Sequence, residues 1–171
     1  MPVLLLALRL VAGHLAVSRI LAAGRRVEGS DWTSPLYEAA DILEVAVDVD
    51  LVLSDRVTMP FTAGIRRPAI VLPESAGGWE LERRRAVLMH ELAHGLGPGF
   101  ITRGGERMTV NQALRDRYSA IEEAKADVVG LWNLTVLRER GLYDDEFVRA
   151  AFVSELPDLF RSIRFGATEA H

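Results

Sequence analysis

The pentapeptide His90-Glu91-Leu92-Ala93-His94 constrains this chain more than any other feature. Four residues make about one turn of α-helix, so a helical conformation projects both imidazoles from one face and lets them converge on a single ion. The surrounding pattern predicts a helix from Trp79 to Gly95, stopped by Gly95, Gly97, Pro98 and Gly99. Two of the four histidines lie in this one turn, the others being His14 and His171. Cysteine is absent, which excludes disulfides, thiolate zinc fingers, iron–sulfur clusters and a cysteine nucleophile. A transition metal must therefore be held by imidazole nitrogen and carboxylate oxygen. Glu91, next to the first of the paired histidines, is angled toward the open side, where a water on such a metal would sit.

Two histidines make an incomplete site, because a catalytic zinc takes three protein ligands and keeps its fourth position for water. Without cysteine the third ligand has to be a carboxylate. A long helix is predicted from Thr109, which forms a capping-box pattern with Gln112, to a stop at Gly141. It carries Glu122 and Glu123, with Asp127 one turn after Glu123 and hence on the same face. Glu123 is the expected metal ligand, and Asp127 is placed to accept the outer N–H of a ligand histidine. Small Ala120, Ala126 and Gly130 would let this helix lie close to the first.

Elsewhere the patterning is that of an α+β chain, mostly helical, with a small three-stranded sheet packed on the two metal-bearing helices. Residues 3–23 are mostly apolar and read either as a packed or membrane-surface helix or as a transmembrane one, interrupted by Arg9, His14 and Arg19. Residues 1–26 are set apart from a domain over 27–171. Ser34 and Pro35 open a short helix over 34–44. Val45, Val47, Val49, Leu51 and Leu53 on one face, with Asp48 and Asp50 on the other, read as a half-buried strand. Further strands are expected over 57–63 and 69–72, with Pro60 at an edge. Residues 98–108 read as a Gly-rich loop, and Asp144 or Asp145 caps a last helix that Pro157 breaks or restarts. Arg83, Arg84 and Arg85 read as a solvated helix face, and Trp32, Trp79 and Trp132 as packing residues. With 20 basic against 24 acidic residues the net charge is −4, which argues against a nucleic-acid partner. Lys125 is the one lysine, and no phosphate-binding GxxxxGK[ST] loop exists.

HExxH followed by ExxxD on a later helix resembles the gluzincin zinc peptidases. Residues 1–94, through Leu53–Gly64, Arg67–Pro73 and Arg84–His94, resemble the peptidase domain of BlaR/MecR-type membrane sensors, in which an apolar helix precedes the peptidase domain. Residues 90–171, through Gly95–Gly99, Tyr118–Trp132 and Arg164–His171, are similar to bacterial relatives of dipeptidyl peptidase III. The chain reads as a splice of the two at their shared motif. The second resemblance implies that Glu123, the second Glu of the pair, is the zinc ligand and that Asp127 supports a ligand histidine, and it maps a further active-site histidine onto His171.

These readings imply a minimal zinc metallopeptidase, with zinc on His90, His94 and Glu123, Glu91 as general base, and Asp127 and Glu122 in support. A peptide or protein substrate would lie extended along the strand at 57–63, as the gluzincin resemblance implies. Tyr118, Tyr143 and His171 are candidate oxyanion donors. The alternative is a zinc-binding but inactive regulatory or membrane-sensor-derived module. The expected location is the cytoplasm or the cytoplasmic face of the membrane, reached through residues 3–23, and not the exterior.

Overall fold

The computed structural model describes residues 2–46, 48–64 and 67–165. They form two compact units, residues 1–91 and 92–171, with the division falling inside a continuous helix. The expected α+β class is met: helices dominate, and the strands form one sheet of four and one of two.

The first unit contains α1 (Pro2–Ala23), β1 (Arg25–Arg26), α2 (Ser30–Ile42), β2 (Asp50–Ser54), β3 (Phe61–Ala63), β4 (Ala69–Pro73) and most of α3 (Leu81–Ala93). The sheet order is β1-β2-β4-β3, with β2 and β4 parallel and the outer strands antiparallel to their neighbours. Leu51-Val52-Leu53 and Ile70-Val71-Leu72 are at most 4% exposed. Such unbroken apolar runs mark parallel strands covered on both faces. Here the structure departs from the half-buried strand expected over 45–53. Only Asp50 onward pairs, and burial on both faces removes any role for alternation; Val47 lies outside the described residues. The three-stranded expectation also missed β1. Arg25 and Arg26 pair with Leu53 and Val52. They keep this edge charged through ion pairs to Glu74 (3.3 Å) and Asp50 (3.1 Å). β3, which follows Pro60, is the opposite edge, as expected.

α2 begins at Ser30, after Gly29, so Pro35 stands inside the helix and not at its start. Proline lacks the N–H that would bond the carbonyl four residues back, that of Asp31. Arg84 on α3 supplies the missing donor, Nη1 lying 3.2 Å from that carbonyl. Its Nε and Nη2 bond the carbonyls of Trp79 (2.8 Å) and Gly77 (3.3 Å), and its guanidinium lies over Trp32 at 4.8 Å. Arg85 pairs with Glu38 at 2.8 Å and Arg83 stacks on Trp79 at 4.2 Å. Arg83 is exposed, as expected of a solvated face, but Arg84 and Arg85 are half-buried and tie α3 to α2 and to the segment before it. α1 fills the apolar stretch predicted over 3–23, with Leu4, Leu5, Leu8, Val11 and Leu15 exposed. Among the described residues no helix is long and apolar enough to cross a membrane.

In the second unit the expected loop at 98–108 is a hairpin, β5 (Phe100–Arg103) and β6 (Glu106–Thr109). Its two-residue turn is Gly104-Gly105 at φ 60° and 83°, the positive values a type I′ turn demands. The Thr109–Gln112 capping box is present. The helix it opens, α4 (Val110–Leu114), stops where Arg115 adopts φ 54° and ψ −125°, outside the helical region. A single 3-10 turn follows, and the chain re-enters a helix as α5 (Tyr118–Glu139), so the predicted long helix is two helices. α6 (Asp145–Phe165) is capped by Asp144, whose Oδ1 accepts the Phe147 N–H at 2.7 Å, and it continues through Pro157. Leu134, Leu137, Tyr143 and Val148 are buried. Gly130 is not a close-approach point, since a Cβ there would meet nothing within 4 Å.

Candidate metal centre

α3 is anchored by Leu88 and Met89, 0% and 2% exposed, and the same turn presents His90 half-buried and Glu91 only 5% exposed. His94 is the first residue past Ala93, where α3 ends. The chain closes there with bonds from Gly95 N to Leu92 O (2.9 Å) and from Leu96 N to Ala93 O (3.1 Å). Glu123 sits in the second turn of α5, half-buried. One ligand atom from each of His90, His94 and Glu123 lies within 4.8 Å of the others, and His94 Nε2 is 3.5 Å from Glu123 Oε2. Ligands about 2.0–2.2 Å from a tetrahedral zinc stand roughly 3.3–3.6 Å from one another, so the measured pair has the required spacing. Two imidazoles and one carboxylate suit zinc better than magnesium or calcium, which take mostly oxygen.

Glu91 is held from β3. Thr62 Oγ1 is 2.7 Å from Glu91 Oε2 and 3.2 Å from the Glu91 carbonyl oxygen. A hydroxyl has one proton, and the shorter contact to the charged group marks the carboxylate as its acceptor.

A second anchor comes from Lys125. Its ammonium donates to Glu122 Oε2 (2.8 Å), Leu96 O (3.0 Å) and His94 O (3.2 Å). Glu122 is thus joined through Lys125 to the turn that carries His94. Asp127 is half-buried on the Glu123 face of α5. Tyr118 opens α5, and burial, reinforced by the charge of Glu122, pushes its phenol above the ordinary value of 10.0. It therefore stays a proton donor at neutral pH. Tyr143 is 7% exposed and stacked on Phe147 at 4.3 Å. His171 lies outside the described residues. Sequence reasoning missed Thr62, for which a polar residue in a three-residue edge strand was the one available sign. It also missed the Lys125 anchor, foreshadowed by the Glu122–Lys125 spacing of three on a helix.

The fold and site together define an α+β frame carrying a His-His-Glu cluster. Two solved structures share the frame: dipeptidyl peptidase III from Caldithrix abyssi (TM-score 0.61, 24% identity) and from Corallococcus sp. strain EGB (0.59, 27%). Each match covers 86% of this chain, and 39% and 38% of those chains respectively. Because 86% of 171 residues is about 147, the likeness reaches well upstream of the 82 residues from His90 onward. Residues upstream of His90 thus share in the dipeptidyl peptidase III likeness. Among curated proteins, Nudix hydrolase 3 of Arabidopsis thaliana is 52% identical over 86 residues, 50% of this chain and 11% of that protein. A protein of which 86 residues are 11% is about 780 residues long, so its name need not describe the matched stretch. No family model matches the sequence.

Proposed function

We propose that this chain is a zinc-dependent peptidase module that hydrolyses peptide bonds with Glu91 as general base. The observation that carries this is the convergence of His90, His94 and Glu123 within 4.8 Å beside a buried Glu91. His90, His94 and Glu123 would hold a zinc ion, which would supply Lewis acidity toward a water and the scissile carbonyl. Glu91 takes the proton of the attacking water and returns it to the departing amine. The Thr62 hydroxyl fixes Oε2 and so aims the other carboxylate oxygen. Asp127 is proposed to orient a ligand histidine through its outer N–H. Tyr118, kept protonated, is the candidate donor to the developing oxyanion. An extended peptide would pair with β3, the last strand in the sheet order, beside Thr62. The solved neighbours are dipeptidyl peptidases by name, which supports the reaction class.

A second reading is a zinc-binding module without turnover, which the same three ligands would serve. One experiment separates them. Glu91→Gln is expected to keep one zinc per chain and lose hydrolysis of a quenched peptide library by at least about a hundredfold. Hydrolysis that survives the substitution refutes the catalytic assignment; stoichiometric zinc with no hydrolysis in the unsubstituted protein establishes the second reading.

A further inference from the structure

We propose that Lys125 is a positioning residue of the metal centre, fixing the backbone that carries His94. The inference rests on the metal-centre reading above. His94 stands one residue beyond the end of α3, where the last carbonyls of a helix have no N–H partner four residues on. Gly95 N and Leu96 N close on Leu92 O and Ala93 O, and His94 O, the next carbonyl, takes its donor from another helix. The Lys125 ammonium takes the carbonyl at that end, His94 O at 3.2 Å, and that of Leu96 in the turn beyond it at 3.0 Å, and places a positive charge at the negative end of the helix dipole. Glu123, two residues earlier on α5, reaches the ring of the same histidine at 3.5 Å. One turn of α5 thus holds His94 at both its imidazole and its carbonyl.

The identity of the residue follows from its acceptors. Three oxygens surround one nitrogen, those of His94, Leu96 and Glu122, and an ammonium has three donors on a single atom. A planar guanidinium spreads its donors over a fork and cannot match that arrangement. Nineteen of the chain's 20 basic residues are arginine, and the single lysine stands at this point. A free cation this close to a metal ion would oppose its binding. Glu122, 2.8 Å away and with its side chain 18% exposed, cancels that charge.

The test is zinc affinity of the 171-residue chain, measured by competition with a chelating dye, together with the visible spectrum of the cobalt-substituted protein. Lys125→Met is expected to weaken zinc binding about tenfold or more, the range for removing outer supports of a ligand, and to alter the cobalt bands. Lys125→Arg should recover part of the loss. Should the Met variant fail to fold, Lys125→Gln and Glu122→Gln carry the same measurement, with a smaller loss expected for each. A folded Met or Gln variant at position 125 that binds zinc within twofold of the unsubstituted chain, with unchanged cobalt bands, overturns the proposal. Failure of the unsubstituted chain to bind zinc is a different result, and it would remove the metal-centre reading itself.

Discussion

Pro35 and Arg84 should be energetically coupled, although neither touches the metal cluster. Pro35 leaves the Asp31 carbonyl without its helical donor, and Arg84 Nη1 fills the place at 3.2 Å. Arg84→Ala removes that bond, two further bonds to Trp79 O and Gly77 O, and the stacking on Trp32. Hydrogen bonds to a charged group contribute about 1.5–3 kcal/mol when buried, but Arg84 is half-exposed and water replaces part of each. Adding about 0.5–1 kcal/mol for the cation–π contact, the expected loss is roughly 2–4 kcal/mol. In a Pro35→Ala background the residue-35 N–H can bond the Asp31 carbonyl itself. The same Arg84→Ala change should then cost about 1 kcal/mol less. Urea unfolding followed by tryptophan emission reports it directly, because Trp32 is 5% exposed and lies against the arginine. Additive single effects, within about 0.3 kcal/mol, would refute the idea that the arginine answers the proline.

Glu123→Gln should leave the fold intact while reducing zinc affinity by a factor of ten or more, as measured by dialysis and metal analysis; wild-type affinity would exclude Glu123 as ligand. Thr62→Val should lower kcat with little change in KM, and Thr62→Ser should restore it, because the hydroxyl 2.7 Å from Glu91 and not the methyl is what aims the base. Equal kcat in the Val and Ser variants would show that the contact is idle. The Tyr118 phenol should titrate above 10.0 in the folded protein, read from ultraviolet absorbance with Tyr118→Phe as the blank. With a folded-state pKa above the unfolded one, its contribution to stability is complete below pH 10.0 and is lost as pH rises through the folded value. A midpoint at or below 10.0 would contradict the burial that raises it.

The parts legible in the sequence were those governed by neighbours in the chain. The HExxH helix, the Thr109–Gln112 box and the edge position of β3 after Pro60 all follow from spacing or from backbone chemistry. The misreadings share a different origin. Pro35 inside α2 is tolerated because Arg84, 49 positions later, answers for the missing N–H. The alternation at 45–53 lost its meaning because β2 lies between two strands and is buried on both faces. The break at Arg115 carries no Gly or Pro signal, so nothing local announces it.

The sequence by itself determined what kind of centre this chain can build. Without cysteine, and with two histidines one helical turn apart, imidazole and carboxylate were the donors left, and helix periodicity alone put both rings on one side. Only the tertiary structure decided which groups make that turn a site. Glu123 was the expected ligand, but α5 alone brings it to 3.5 Å from His94 and leaves Glu122 to Lys125. Thr62 had no role until the sheet set its hydroxyl 2.7 Å from Glu91. The physical reason is range. Backbone geometry acts over about one turn, whereas a ligand set and its supports need groups tens of residues apart to meet within hydrogen-bonding distance, and only the packed core can hold them there.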